Sequence, residues 1–163
     1  MQAIKLLYFI DKLHLIDFGR FVTNDTYIKL PYGPVPTKIL DIINSETNLF
    51  DDEEEYLFKY LDIAKNIYRT ITCKKKPDLS ELSKSEIAII DRVIQDYGKY
   101  SGAQLVDIAH REPAWIKAGQ HDALSIEDMI EGLPDERKNE LMANIEEDKE
   151  TKIILHDNFT KSA

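Results

Sequence analysis

The chain has 163 residues, 43% of them hydrophobic and 31% charged, which suits one domain with a real core and is too apolar for a disordered chain. A formal net charge of -9 opposes loose attraction to phosphate backbones, and the lone Cys73 excludes an internal disulfide and a multi-cysteine zinc site. No apolar run approaches the ~20 residues needed to cross a bilayer and the start lacks a secretory leader, so the expected location is the cytoplasm.

Gln2 to Phe18 has helical length and is apolar on nearly every side, through Ala3, Ile4, Leu6, Leu7, Tyr8, Phe9, Ile10, Leu13, Leu15 and Ile16. That pattern belongs to a central helix packed all round. Gly19 ends it as a C-terminal cap would. Phe21-Val22-Thr23 and Thr26 to Leu30, separated by Asn24-Asp25, then predict a short hairpin, with Thr26, Ile28 and Leu30 on one face. The second strand runs into Pro31-Tyr32-Gly33-Pro34-Val35-Pro36. Each proline fixes its own φ at about -65° and pushes the preceding residue out of the α region. Leu30, Gly33 and Val35 are therefore held extended or in turns, and the segment is a rigid corner. Pro36 suits the first turn of a helix over Thr37 to Ile43, where its missing N–H costs nothing.

Asp51 to Glu55 is an acidic run ahead of a helical stretch, Tyr56 to Tyr68, with Leu57, Tyr60, Leu61, Ala64 and Ile67 as its apolar stripe. Carboxylates there meet the positive end of a helix dipole, and the run lacks the alternating spacing and glycine of a calcium loop. Arg69 to Cys73 is β-branched and alternating, and predicts a strand paired with Tyr27 to Leu30. Lys74-Lys75-Lys76-Pro77 closes it, and at a sheet edge such residues discourage unwanted pairing more often than they touch phosphate.

Ser83 or Ser85 caps a helix running to Tyr97, with Ile87, Ile90, Val93, Ile94 and Tyr97 inward and Gly98 as its stop. Ser101 to His110 is the next helix, Pro113 starts a third through Trp115, Ile116 and Ala118, and Ser125 with Asp128 marks another cap. Pro134 to Glu150 reads as a polar, exposed helix, followed by a short strand over Lys152 to His156 whose open edge could pair with another chain or with none, so a homo-oligomer stays an open alternative. The predicted class is mainly α (α+β): a compact helical domain with a central apolar N-terminal helix and a small two- or three-stranded antiparallel β element. It divides into a domain over residues 1–133 and an acidic helical appendage over residues 134–163.

His14, His110, His121 and His156 lie far apart, without the two-histidine helical spacing of zinc hydrolases, and no Gly-rich phosphate loop occurs, so no metal or cofactor is expected. His110, Arg111, Glu112 and Trp115 form the densest polar and aromatic group. A histidine beside a glutamate can do acid–base work, but no nucleophile or oxyanion site accompanies them, which favours Trp115 as a core anchor braced by His110 and Glu112. Asp11, Asp17, Asp25, Asp41 and Asp62 are scattered acids, expected on the wet faces of helices. Glu86 to His110 also has the outline of a helix-turn-helix, the basis of an alternative reading as a DNA-binding transcriptional regulator. Its second helix carries only Asp107 as a charge and Gln104 as a side chain suited to base edges, so nucleic acid is a poor partner for this acidic chain.

Several short motifs occur in a set order. They are Lys5-Leu6-Leu7-Tyr8-Phe9 with Asp11 and His14, Gly19-Arg20, Asp25-Thr26-Tyr27, Tyr32-Gly33-Pro34-Val35-Pro36, Leu82-Ser83 with Ile87, and Glu112-Pro113-Ala114-Trp115. Over roughly residues 1 to 131 the chain resembles the Panacea domain family of SocA-like antitoxins, also met as phage-associated proteins. The resemblance implies a compact, mainly helical domain with a small β element and no known catalytic activity. It also implies a partner: a cognate protein toxin, encoded nearby in bacterial or prophage genomes and neutralised by protein binding. The family has no established catalytic set to transfer, and Tyr32 stands where many members have histidine. The motif residues are therefore candidates for framework or partner contact, namely Tyr27, Tyr32, Gly33, Pro34, Val35, Pro36, His110, Glu112 and Trp115, and both roles stay open. Leu7 and Tyr8 are expected to be framework. The acids of residues 134–150 would suit a basic toxin surface, although a solvated appendage is the commoner use of such a helix.

Overall fold

The structure, a computed structural model, describes residues 2–44, 51–64 and 70–160, and the side chains among them except those of residues 51–54 and 148–160. The described residues form eight helices and two small antiparallel two-stranded sheets, a mainly α (α+β) arrangement. The central element is α1, Gln2–Phe18, and Gly19 ends it with φ +75° and an N–H donated to the Leu15 carbonyl at 2.8 Å. Tyr8, Phe9, Ile10 and Leu15 of this helix lie in the core, as expected of a helix packed on several sides.

β1, Tyr27–Leu30, pairs with β2, Gly33–Pro36, so the hairpin expected between residues 21–23 and 26–30 is replaced by one built from the corner itself. The N–H groups of Val22 and Thr23 go to the Asp11 carboxylate at 2.7 and 2.9 Å and not to a ladder. Prolines are tolerated in β2 because of register. Thr37 N–H donates to the Thr26 carbonyl, which makes 28↔35 and 30↔33 the hydrogen-bonded pairs. Pro34 and Pro36 then fall opposite Lys29 and Tyr27, at positions where an N–H would point away from β1. On the other side of β1, Lys29 N–H donates to the Asp122 carbonyl and Leu124 N–H to the Tyr27 carbonyl, around a bridge between Ile28 and Ala123.

The helix that follows is α2, Thr37–Asn44, so Pro36 is the last strand residue and not the first helical one. Its first N–H groups are met from a distance. The Asp25 carboxylate accepts from Lys38 N and Ile39 N, each at 3.0 Å, and from Thr37 Oγ1 at 3.1 Å, which is capping chemistry supplied by a residue upstream of the hairpin.

α3, Asp51–Tyr60, contains the acidic run and stops earlier than its apolar stripe predicts, because Leu61–Ile63 forms strand β3. The rest of that helical expectation, residues 65–68, and Arg69 lie outside the described residues. β4, Ile71–Cys73, pairs with β3 and not with β1, whose two sides are already occupied.

α4, Lys84–Tyr97, opens on a capping box. Ser83 Oγ accepts from Glu86 N–H, and the Glu86 carboxylate accepts from Ser83 N–H at 2.6 Å. Glu86, Ile89 and Val93 are its buried residues, while Ile94, expected inward, is 53% exposed. Ser101 and Gln104 repeat the box at α5, Gly102–Ala109, and Pro113 begins α6, Pro113–Lys117. Ser125 caps α7, Ile126–Met129, by accepting from Asp128 N–H.

The last helix, α8, Asp135–Thr160, includes residues 152–156, so the tail strand and its open edge are absent. Nor is it exposed throughout: Leu141 and Ile145 are buried in the core, and Arg137 donates to the carbonyls of Ile16 and Asp17 at the end of α1.

Candidate functional site

The polar motif residues of α1 face inward. Lys5, Tyr8, Asp11 and His14 lie three residues apart, a row that winds about half-way round the helix, and all four are buried. Lys5, 1% exposed, donates from Nζ to the Pro34 carbonyl at 2.7 Å, and burial pulls its amine down to about 8. Asp11, also 1% exposed, is no wet-face acid. Besides the N–H groups of Val22 and Thr23 its carboxylate accepts from the hydroxyls of Thr23 and of Tyr27, the latter at 2.8 Å. Asp25 is likewise buried, in its capping role at α2. Burial beside Asp11 pushes the Tyr27 hydroxyl far above the usual tyrosine range.

His14 closes the same row. The Arg20 carbonyl, 2.8 Å from Nδ1, can only accept, so Nδ1 carries the proton, and Nε2 lies 3.3 Å from the Ser85 hydroxyl. Arg20 itself pairs with Glu86 at 2.6 Å. The Ser83 N–H and then Arg20 hold the Glu86 carboxyl down at about 2. Glu112, at the N-terminus of α6, accepts from Lys12 Nζ and from Tyr8 OH at 3.3 Å, tying α6 to α1. Burial first, and then Glu112, drive the Tyr8 hydroxyl upward.

Gly33 sits where this network meets the hairpin. Its φ of +97° disfavours any side chain, and a Cβ there would lie 3.1 Å from Lys5 Nζ and 3.4 Å from the Ala109 Cβ. Gly33→Ala is expected to destabilise the fold by about 2 kcal/mol, measured by urea unfolding. A loss below about 0.5 kcal/mol would show that the backbone there accommodates a side chain after all.

Among the residues expected to contact a partner, the structure separates two groups. Tyr27, Gly33, Pro34, Val35 and Pro36 are buried. Tyr32, at the tip of the turn, is 65% exposed. Beside the hairpin stands α6, because Trp115 Nε1 donates to the Leu30 carbonyl at 3.1 Å. Lys29 Nζ lies 4.5 Å over the Trp115 ring and donates to the Ala118 carbonyl at 2.8 Å. His110 stacks on Trp115 with ring centroids 4.0 Å apart, and its Nε2 is buried with no hydrogen-bond partner among the described residues. No hydrogen bond joins His110 to Glu112 among those residues, so the two members of the acid–base idea are directed elsewhere. Ile116, one residue on, is 57% exposed, and its carbonyl also accepts from Lys29.

The arrangement can do two things. It ties the hairpin, α1 and α6 together through buried and half-buried polar contacts, and it leaves Tyr32 of the hairpin turn and Ile116 of α6 exposed to solvent. Among the described residues no group of three or more His, Cys, Asp or Glu side chains is placed as a metal ion requires, and no helix is long and apolar enough to cross a membrane.

A family model described as antitoxin SocA-like, Panacea domain, matches residues 4–116. No curated protein and no solved structure matches the chain. The matched span covers more than half of the chain, from the start of α1 to Ile116, and holds Lys5, Asp11, Asp25, Gly33 and Glu112 with all their partners described above. The chain therefore belongs to the antitoxin SocA-like, Panacea domain family.

Proposed function

We propose that this protein is an antitoxin that neutralises a cytoplasmic protein toxin, encoded in an adjacent gene, by direct binding and without chemistry of its own. The observation that carries this reading is the use made of the polar motif groups. Lys5, Asp11, Asp25 and Glu112 are engaged inside the molecule, with β2, residues 22–27, α2 and α1 respectively, and Tyr32 and Ile116 stay exposed on the rigid support so formed. Side chains held by such a support lose little entropy on binding, and exposed aromatics on it suit a contact centre. In this reading Tyr27 and residues 33–36 are framework, His110 and Glu112 brace α6, and Tyr32, Ile116 and the exposed part of Trp115 touch the toxin.

The test is co-expression with the neighbouring reading frame. That gene alone should arrest growth, and this chain should restore it. Tyr32→Asp and Ile116→Asp, both at exposed positions, should change stability by about 0.5 kcal/mol or less. Each should weaken toxin binding by about 2 kcal/mol, a fall of roughly thirtyfold in affinity. A harmless neighbour, or one that stays toxic beside this chain, sinks the antitoxin reading; full rescue by both variants sinks the assignment of the contact to Tyr32 and Ile116.

A further inference from the structure

One part of the molecule takes no share in the core. No described side chain from Glu55 to Leu82 is buried, and none packs against the central cluster. This arm consists of α3 and the β3–β4 hairpin, and a two-stranded hairpin is marginal in water by itself.

Three observations on the arm coincide. The first is an open backbone edge. Lys74 N–H donates to the Tyr60 carbonyl and Ala64 N–H to the Thr70 carbonyl, which makes Asp62↔Thr72 the hydrogen-bonded pair between them. The N–H and C=O groups of Ile71 and Cys73 therefore point outward, and none has a backbone partner among the described residues. The second is a groove of about 280 Å³ beside that edge, lined by Tyr56, Leu57, Tyr60, Leu61, Cys73 and Pro77, with Lys75 and Asp78 as its two charged members. Cys73 belongs to both, since its side chain lines the groove and its backbone faces out.

The third observation is charge. Lys74, Lys75 and Lys76 follow β4 directly, so the end of the open edge is basic, whereas α3 opens on the acids Asp51 to Glu55 and Asp78 and Glu81 follow the lysines, in a chain whose net charge is -9. A strand edge that ends in lysines repels most strands and admits an acidic one.

We infer that the arm captures an extended, acidic and apolar segment of a partner protein. The segment adds as a strand to the outer edge of β4 and seats an apolar side chain in the Tyr56 and Tyr60 groove. Main-chain bonds to Ile71 and Cys73 supply affinity, and the groove with the lysines supplies selection. Single-stranded nucleic acid also favours lysines and aromatic rings, but the groove is apolar where base edges would need donors and acceptors, and the net charge of the chain opposes phosphate. The inference stands on the arm alone and needs no toxin for its test.

The test uses the full chain, labelled for NMR, with a synthetic peptide of alternating glutamate and valine as probe. A lysine and valine peptide and a short oligothymidylate serve as comparisons. The acidic peptide should shift the amide signals of Ile71 and Cys73 and slow their hydrogen exchange. Joint replacement of Lys74→Glu, Lys75→Glu and Lys76→Glu should weaken it by about tenfold or more. Cys73→Pro should abolish the protection without altering the melt of the core, because the lost N–H points away from β3. Equal binding of the lysine peptide, tighter binding of oligothymidylate at the same residues, or no response of Ile71 and Cys73 to the acidic peptide would each overturn the inference.

Discussion

Asp11→Ala is expected to cost the fold about 3–5 kcal/mol and to lower the melting temperature by roughly 10 °C. The carboxylate is the common acceptor for four donors on the segment that follows α1: the N–H groups of Val22 and Thr23 and the hydroxyls of Thr23 and Tyr27. Truncation leaves all four short of a partner, and the Tyr27 hydroxyl, in the core, cannot turn to water. Asp17→Ala is the control. Its carboxylate lies 3.4 Å from Arg92 at an exposed site, where a pair contributes about 0–1 kcal/mol. Urea unfolding of both variants measures the difference. A loss at Asp11 no greater than at Asp17 would mean that the four donors find other acceptors.

The contrast between these two aspartates marks where the sequence is legible. Both look like acids on a helix, and only contacts far along the chain distinguish them. Features set by neighbouring residues are readable: the span of α1 and its Gly19 stop, the Ser83 and Ser101 caps, and the Pro113 start of α6 all depend on groups within a turn of one another. Strand pairing is different. The Arg69 to Cys73 segment has the alternation of a strand, but its partner was decided by Leu61–Ile63 leaving the helical pattern and by residues 121–124 already occupying the free side of β1. Likewise the few apolar residues of α8 are enough to dock it, since Leu141 and Ile145 lie one turn apart on a single face.

One signal for the buried network is present in the sequence. On a helix as apolar as α1, polar residues at a regular spacing stand out, and Lys5, Tyr8, Asp11 and His14 recur every third position, a row that winds about half-way round the helix. Such a row is buried along its whole length only when each polar group finds a partner on the element packed against it, as these four do. At the candidate surface the limit is geometric. The spacing of prolines makes Tyr32 to Pro36 rigid, but which of its residues project depends on a two-residue turn that puts Tyr32 at the tip and turns the rest under it.

The same row leads to a pH dependence with a definite sign. The Lys5 amine is held at about 8 in the folded protein, against 10.5 for an unhindered lysine, and the cause is burial with only a carbonyl as partner. Below about pH 8 both states carry the proton and the full cost of the buried ammonium is present. Between about pH 8 and 10.5 the unfolded chain binds the proton more often than the folded one, so stability rises with pH by at most about 1.4 kcal/mol per pH unit. Tyr8 and Tyr27 act in the opposite sense. Their folded hydroxyls are raised well beyond the usual value of 10.0, so above about pH 10 the unfolded chain loses those protons first and stability falls. The expected profile climbs by about 2–3 kcal/mol from pH 8, peaks near pH 10 and then drops. Lys5→Met should remove the climb and keep the drop, at a cost near pH 7 of only about 1 kcal/mol for the Pro34 carbonyl left without its donor. Urea unfolding of both proteins at intervals between pH 7 and pH 11 reads both limbs separately. A flat wild-type profile from pH 8 to 10, or a climb that survives in Lys5→Met, would show that the amine at the centre of the fold is not the group that titrates.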